Sequence, residues 1–569
     1  MTTPPRRRIL RTVLAAALAL AAGGILAWAW HRQPGPIRFR NVTDSAGVVF
    51  IHTDGSGGRK YIVETVTAGL ATFDYDGDGL VDIYFLNGRP LPGTPPPPEP
   101  PRNKLYRNVG GMRFVDVTEH AGVGDAGYGL GVAVGDFDND GWPDLYVSNF
   151  GPKKLYRNNG DGTFSDVTDR AGVADGSKVG AGASFLDIEG DGDLDLYAAN
   201  YVDFSFETHV TRVWDGLPIY PGPVEFPPTR DTLFRNNGDG SFTDISEPSG
   251  IAAHPGTGMG MVCCDYDGDG DTDIFVLNDV FGNSCFENDG RGHFEEVGVR
   301  TGFKYNGSGM ELGSMGVDCG DYDNDGWLDL FQTSYQGELC VLFHNLGHGM
   351  FEDLTTVSGA GQGSRHNVKW GCALADFDND GWRDLFVGMG HLHDNIEAYD
   401  QSSTYEDYSV LLRNLGDGTF ADVSRQAGDG LQVRTVVRGV GCDDLDNDGR
   451  LDLAILASRR PALVLHNATH NAHHWLQIVL RGTTTNRDGV GAQVRVVSGH
   501  RVWVDEVHSG RGYQSHFGTR LHFGLGPCGR VDRIEVRWIG GRQELFPGSQ
   551  ADRVLTLVEG TGQAASSAP

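Results

Sequence analysis

One acidic pattern, Asp-x-Asp-x-Asp-Gly-x-x-Asp, recurs seven times and constrains the fold more than any other feature. Its acidic positions are Asp74, Asp76, Asp78 and Asp82 in the first copy and Asp136, Asp138, Asp140 and Asp144 in the second. The third has Asp187, Glu189, Asp191 and Asp195, and the fourth Asp265, Asp267, Asp269 and Asp273. Asp321, Asp323, Asp325 and Asp329 form the fifth, Asp376, Asp378, Asp380 and Asp384 the sixth, and Asp444, Asp446, Asp448 and Asp452 the last. Successive copies begin 51 to 78 residues apart, a period that suits a four-stranded blade with variable loops.

Two further elements keep the same count. Each loop is followed by an apolar strand and then by a second strand ending in Asn, at Asn108, Asn158, Asn236, Asn288, Asn345, Asn414 and Asn467. Most of these run into a hairpin turn such as Asn159-Gly-Asp-Gly162. A final strand opens on Phe114, Phe164, Phe242, Phe294, Phe351 and Phe420, which is one too few. The missing strand is at the other end of the chain, at Phe39-Arg-Asn-Val-Thr43. A radial array must close, since an open edge is a template for aggregation. The sequence therefore predicts an all-β chain: a seven-bladed β-propeller with calcium loops over residues 37–468, closed by an N-terminal strand, plus a small C-terminal β-domain.

The loop spacing is that of metal ligands. Carboxylates at positions 1, 3 and 5 converge across a tight turn, Gly at position 6 permits the reversal, and position 9 completes the set. An all-oxygen set suits Ca²⁺ better than Zn²⁺ or Cu²⁺. An EF-hand would need Glu at position 12, where this chain has Phe85, Val147, Ala198, Val276, Gln332, Val387 and Ile455, residues of a strand. The expectation is one Ca²⁺ per blade, up to seven, with a structural role. These 28 carboxylates against a net charge of −30 leave the rest of the chain nearly neutral. Charge of that sign repels nucleic acid, so a nucleic-acid partner is disfavoured and none is expected.

Arg6, Arg7, Arg8 and Arg11 precede an uncharged run from Thr12 to Trp30. As a helix, nineteen residues span about 28 Å, close to the hydrocarbon core of a bilayer. The arginines place that end in the cytoplasm and the remainder outside. Residues 1–31 thus read as a signal anchor, with a cleaved signal peptide as the alternative because Ala27-Trp28-Ala29 has a small-x-small pattern. The expected location is extracytoplasmic, touching the membrane through this segment alone.

The tail alternates like a β-domain over residues 473–560, expected to pack beside the seventh blade, with 561–569 as a disordered tail. His474-Trp-Leu-Gln-Ile-Val-Leu-Arg-Gly482, Asn486-Arg-Asp-Gly-Val-Gly-Ala492, Ser509-Gly-Arg-Gly-Tyr513, Leu521-His-Phe-Gly-Leu-Gly526 and Val531-Asp-Arg-Ile-Glu-Val-Arg-Trp538 resemble the ASPIC/UnbV domain. The acidic repeats resemble the FG-GAP/VCBS repeats of integrin α-type propellers, and the combination resembles the cartilage acidic protein family. The resemblance implies calcium-binding extracellular proteins, linked in animals to matrix and adhesion. Gly390-His391 also fits that family, whereas Tyr220-Pro-Gly-Pro223 stands where a Cys is expected at the second position.

Other features leave alternatives open. The eight cysteines permit bridges of Cys263 or Cys264 with Cys285 and of Cys319 with Cys340, or buried free thiols. His391-Leu-His393-Asp394 and His470, His473 and His474 are candidate transition-metal ligands or plain surface histidines. Two insertions, 200–230 and 390–410, carry dense aromatics, as either a binding surface or self-packed loops. There is no G-x-S-x-G, P-loop or HExxH motif. The favoured role is recognition or adhesion through a protein or glycan partner. A carbohydrate-active lyase or hydrolase is the alternative and predicts a titratable cluster where the two insertions lie; a purely structural envelope component is the third reading.

Overall fold

The computed structural model describes residues 37–95 and 97–564; the N-terminal apolar run lies outside the described residues. Among the described residues no helix is long and apolar enough to cross a membrane.

Seven four-stranded antiparallel sheets follow one another along the chain. The first uses Leu70–Phe73, Asp82–Phe85, Lys104–Asn108 and Phe114–Asp116, ordered from the inside outwards. The seventh uses Val437–Asp443, Asp452–Ala457 and Leu463–Asn467, and takes its outer strand from Phe39–Asn41. Phe39 pairs with Asn467 and Asn41 with Leu465, which joins the two ends of the repeat. The inner strand of each sheet packs on its neighbours, and Val437–Asp443 packs on Leu70–Phe73, so the ring closes as a β-propeller.

Packing between blades explains the second loop position and the recurring Phe. Tyr75 of the first loop lies against Phe164 of the second blade, with ring centroids 6.1 Å apart. The same contact joins Phe137 to Phe242, Tyr266 to Phe351, Tyr322 to Phe420 and Phe377 to Phe39, at 5.3–5.9 Å. Five of the seven acidic loops are thereby anchored on the next blade by a buried aromatic pair, while the third and seventh place Ile188 and Leu445 at that position.

The C-terminal domain is a two-sheet β-fold. His474–Arg481 lies between Leu521–Gly526 and Arg553–Val558 in one sheet, while the other runs from Arg501–Glu506 to the edge pair Gln563–Ala564. Residues 563–564 are therefore ordered against Glu544 and Leu545, beyond the expected end of the domain. The domain does not pack merely beside the seventh blade. It sits over the propeller face that carries the acidic loops, and residues 509–516 enter the ring of inner strands. Ser509 Oγ donates to Val134 O at 2.6 Å, Gly512 exchanges main-chain bonds with Val317, and His516 with Leu70 and Thr72. This close approach needs glycine: a Cβ on Gly510 would stand 1.8 Å from the carbonyl oxygen of Ala183.

All eight cysteines are free thiols, so the intra-blade bridges do not form. The strand Asp273–Asn278 stands between Cys263 or Cys264 and Cys285, and Asp329–Gln332 between Cys319 and Cys340. Two strand spacings are about 9.5 Å, beyond the reach of a disulfide.

Candidate metal centres

Each acidic loop is built by its own main chain. The position-1 carboxylate accepts the N–H of Gly at position 6 in all seven copies, from Asp74 with Gly79 at 2.8 Å to Asp444 with Gly449 at 2.8 Å. The position-5 carboxylate accepts the N–H of position 7, as Asp140 does from Trp142. The position-9 carboxylate accepts the N–H of the strand-ending Asn, as Asp144 does from Asn158 at 2.7 Å. Position 4 has a positive φ in every loop, which explains why it holds only Gly77, Gly190 and Gly268 or Asn139, Asn324, Asn379 and Asn447.

The side chain of the strand-ending Asn ties loop to loop. Asn414 Nδ2 donates to Arg383 O of its own loop at 3.0 Å and to Tyr322 O of the preceding loop at 2.9 Å. Asn108, Asn158, Asn236, Asn288, Asn345 and Asn467 repeat this bridge. Four position-4 asparagines add a second link to the next loop, such as Asn379 Nδ2 to Gly449 O at 2.8 Å.

What the main chain leaves over is a set of carboxylate oxygens suited to a cation. Asp76 Oδ1, Asp138 Oδ1, Asp446 Oδ1, Asp273 Oδ2 and Asp321 Oδ1 are buried without a hydrogen-bond partner. In the first and second loops, ligand oxygens of Asp74, Asp76 and Asp82, and of Asp136, Asp138 and Asp144, lie within 4.8 Å of one another. Burial, reinforced by neighbouring carboxylates, lifts Asp82 to about 8 and Asp136 to about 7. It lifts Asp144, Asp195, Asp273, Asp321, Asp376 and Asp384 well above the usual carboxylate range. A divalent cation relieves this accumulated negative charge, and the donors present fit Ca²⁺, which accepts six to eight oxygen ligands.

The sequence reading missed one contributor, although its signal is plain: in five blades the residue just before the strand-ending Asn pairs with the loop carboxylates. Arg413 Nε and Nη2 reach Asp378 and Asp380 at 2.8 and 2.9 Å. Arg107 and Arg157 likewise pair with positions 3 and 5 of the first two loops. In the fifth and seventh loops the residue is His344 and His466. In the fourth it is Glu287, held by Tyr266 and Arg300.

The C-terminal domain caps these loops. Asp488 accepts the Asp136 N–H at 2.8 Å, Arg537 pairs with Asp265, and Gln477 Nε2 donates to Asp444 Oδ2 at 2.9 Å. Trp503 Nε1 donates to Gly381 O at 3.2 Å, and His522 bonds Asn379 at 2.7 Å. A cleft of about 1030 Å³ between the fourth and fifth loops and this domain is lined by Trp327, Arg495, Arg533 and Arg537.

On the opposite face the two insertions meet. Tyr220 N–H donates to His393 Nδ1 at 3.4 Å, Tyr220 Oη to Glu64 Oε2 at 2.9 Å, and Asn395 Nδ2 to Pro218 O at 3.0 Å. Asp394 pairs with Lys60 and Arg459. The titratable groups do cluster, but in mutual hydrogen bonds beneath the loops. Burial lifts Glu64 to about 7 and pulls His391 and His393 down to about 3 and 4. His391 has both ring nitrogens engaged, by Gln336 and by the His393 N–H, which leaves it no free nitrogen for a metal. His473 and His474 bond Asp378 and Asp552 separately. The aromatics of the first insertion are self-packed: Tyr201, Phe204, Tyr220 and Phe226 are buried, while Val213 and Trp214 stand exposed on a small hairpin.

A ring of blades tied through acidic turns, capped by a C-terminal β-domain, defines the class. The FG-GAP-like repeat model matches residues 74–147, 136–198, 227–276, 265–332 and 321–387, and the ASPIC and UnbV model matches 482–564. The chain belongs to the FG-GAP-like repeat proteins and carries an ASPIC and UnbV domain. It is 25% identical to cartilage acidic protein 1 of Mus musculus over 371 residues, 64% of this chain and 52% of that one. With the Xenopus tropicalis cartilage acidic protein 1 it shares 25% identity over 498 residues, 86% of this chain and 63% of that one. The chain thus spans about half the length of the mouse relative. Among solved structures, an Agrocybe aegerita lectin that recognises non-reducing terminal N-acetylglucosamine is similar at a TM-score of 0.36, with 18% identity over 63% of this chain and 79% of the lectin.

Proposed function

We propose that this chain is a calcium-dependent extracytoplasmic recognition or adhesion protein. Up to seven Ca²⁺ ions, one in each acidic loop, fasten neighbouring blades and the C-terminal domain together. A protein or glycan partner is taken by the opposite face. The observation that carries this reading is the placement of the C-terminal domain: it covers the acidic-loop face, while Val213 and Trp214 remain exposed on the insertion of the third blade. Residues 37–468 form the propeller unit and 473–564 the capping unit. The Arg-led apolar run of residues 12–30 tethers or exports the chain, in keeping with its similarity to cartilage acidic protein 1.

The test is retention of the purified chain on a panel of polysaccharides and envelope extracts, with Ca²⁺ and with EGTA, while scoring newly released reducing or unsaturated ends. Retention lost in EGTA without product supports recognition. Product release overturns it in favour of a carbohydrate-active enzyme, and absence of both retention and product favours an architectural role.

A further inference from the structure

The residue before the strand-ending Asn divides the seven loops into different chemical kinds. In the first, second and sixth loops it is an arginine, a permanent cation with no lone pair to give a metal, and in register the third blade has Arg235. Only the fifth and seventh loops bring an imidazole. His344 Nδ1 lies 3.0 Å from Asp329 Oδ1 and 3.6 Å from Asp323 Oδ2, and its Nε2 lies 4.0 Å from Asp325 Oδ2. His466 Nδ1 lies 3.2 Å from Asp452 Oδ1 and 3.7 Å from Asp446 Oδ2. In both cases one imidazole nitrogen and two carboxylate oxygens gather within 4.8 Å of one another.

A second observation points to an ion at these places. Asp321 is 3% exposed, and its Oδ1 has no hydrogen-bond partner, while its Oδ2 is satisfied by the Gly326 N–H. Asp446 Oδ1 is likewise buried and unpartnered in the seventh loop.

We propose that the fifth and seventh loops are mixed imidazole–carboxylate sites for a first-row transition dication of the Mn²⁺-to-Zn²⁺ series, distinct from the all-oxygen sites of the other blades. Imidazole is a poor ligand for Ca²⁺ and a good one for Zn²⁺, Co²⁺ and Ni²⁺. Adding a nitrogen donor to the loop's carboxylate oxygens therefore shifts the metal preference of the same loop backbone. His344 and His466 bind as neutral imidazoles, giving up a proton to solvent if they start protonated. The proposal rests on the reading of the acidic loops as cation sites.

The test uses Co²⁺, whose visible absorption reports nitrogen and oxygen ligation. The purified full chain is stripped with chelator, saturated with Ca²⁺, titrated with Co²⁺ and desalted into Ca²⁺ buffer. The expected result is two retained Co²⁺ per chain, one in His344→Gln or His466→Gln, and none in the double variant, with the His470→Gln, His473→Gln, His474→Gln variant unchanged. His344→Arg, which installs the side chain found in register in the sixth blade, serves as a second variant that preserves the loop and is expected to lose one Co²⁺. Two Co²⁺ retained by the double variant, or none by the unmodified chain, overturns the proposal. Parallel ⁴⁵Ca²⁺ binding separates the two failures: Ca²⁺ bound without Co²⁺ overturns this inference alone, whereas no bound cation of either kind overturns the reading of the loops with it.

Discussion

Arg511 of the C-terminal domain donates through Nε to Asp318 Oδ1 on the inner strand of the fifth blade at 2.6 Å, with both side chains buried. Arg511 also reaches Cys319 O at 2.9 Å, so its guanidinium fastens the inserted segment to the ring from within. Arg511→Ala leaves the Asp318 carboxylate buried without its cation, a loss of about 3–5 kcal/mol. The expected outcome is a lower Tm and early proteolytic release of residues 473–564. Unchanged protease resistance would show that the inserted segment does not hold the domain.

The Asn414 bridge is testable by itself. Asn414→Ala leaves the carbonyls of Arg383 and Tyr322 without this donor. A buried unsatisfied group costs about 1–3 kcal/mol, so the denaturant midpoint should fall by that equivalent with an unchanged m-value. The same substitution at Asn159, in an exposed turn, should cost less than about 0.5 kcal/mol.

Calcium dependence should invert the usual effect of acid. The unfolded carboxylates titrate near 3.8, whereas in the folded chain burial lifts Asp82 to about 8, and Asp136, Asp329 and Asp452 to about 7. These groups bind protons more tightly when folded, so their contribution is complete below 3.8 and is lost as pH rises through 7 to 8. In EGTA the Tm should therefore fall between pH 5 and pH 8. Saturating Ca²⁺ replaces the protons and should flatten or reverse that slope. With free Ca²⁺ at ten times Kd, each site adds about 1.4 kcal/mol, and seven independent sites about 10 kcal/mol. A Tm unaffected by EGTA at pH 8 would contradict this account.

In the proposed reading Arg413 competes with a cation at the sixth loop, because its fork occupies oxygens of Asp378 and Asp380. Arg413→Gln should tighten Ca²⁺ binding at that loop several-fold and make the chelated chain less stable. Isothermal titration of the variant beside the unmodified chain reads the first effect, and the Tm of both in chelator reads the second.

The blade pattern was legible because it is local: ligand spacing, hairpin turns and the recurring Phe each lie within a few residues, and the displaced strand at Phe39 follows from counting them. The position-4 rule was present but unread, since Gly and Asn look unrelated until a positive φ makes them equivalent. Arg413 and His344 were equally visible, one residue before an Asn already singled out, yet only the folded hairpin aims them at the carboxylates. Placement of the C-terminal domain was not legible. Its contacts, such as Ser509 with Val134, join residues 375 apart and run largely through main-chain groups and glycines, which carry no hydrophobic signal. The choice between bridged and free cysteines was left open by the sequence, because proximity within a blade hides the strand that separates Cys264 from Cys285, and the structure selects the free thiols.

The central claim is that the acidic loops are cation sites that hold the propeller together, and equilibrium dialysis of the chelator-stripped full chain against ⁴⁵Ca²⁺ tests it most directly. The account predicts five to seven bound Ca²⁺ per chain, with a rise in Tm that tracks occupancy. Binding of none or one, or full occupancy without any change in Tm, would contradict it.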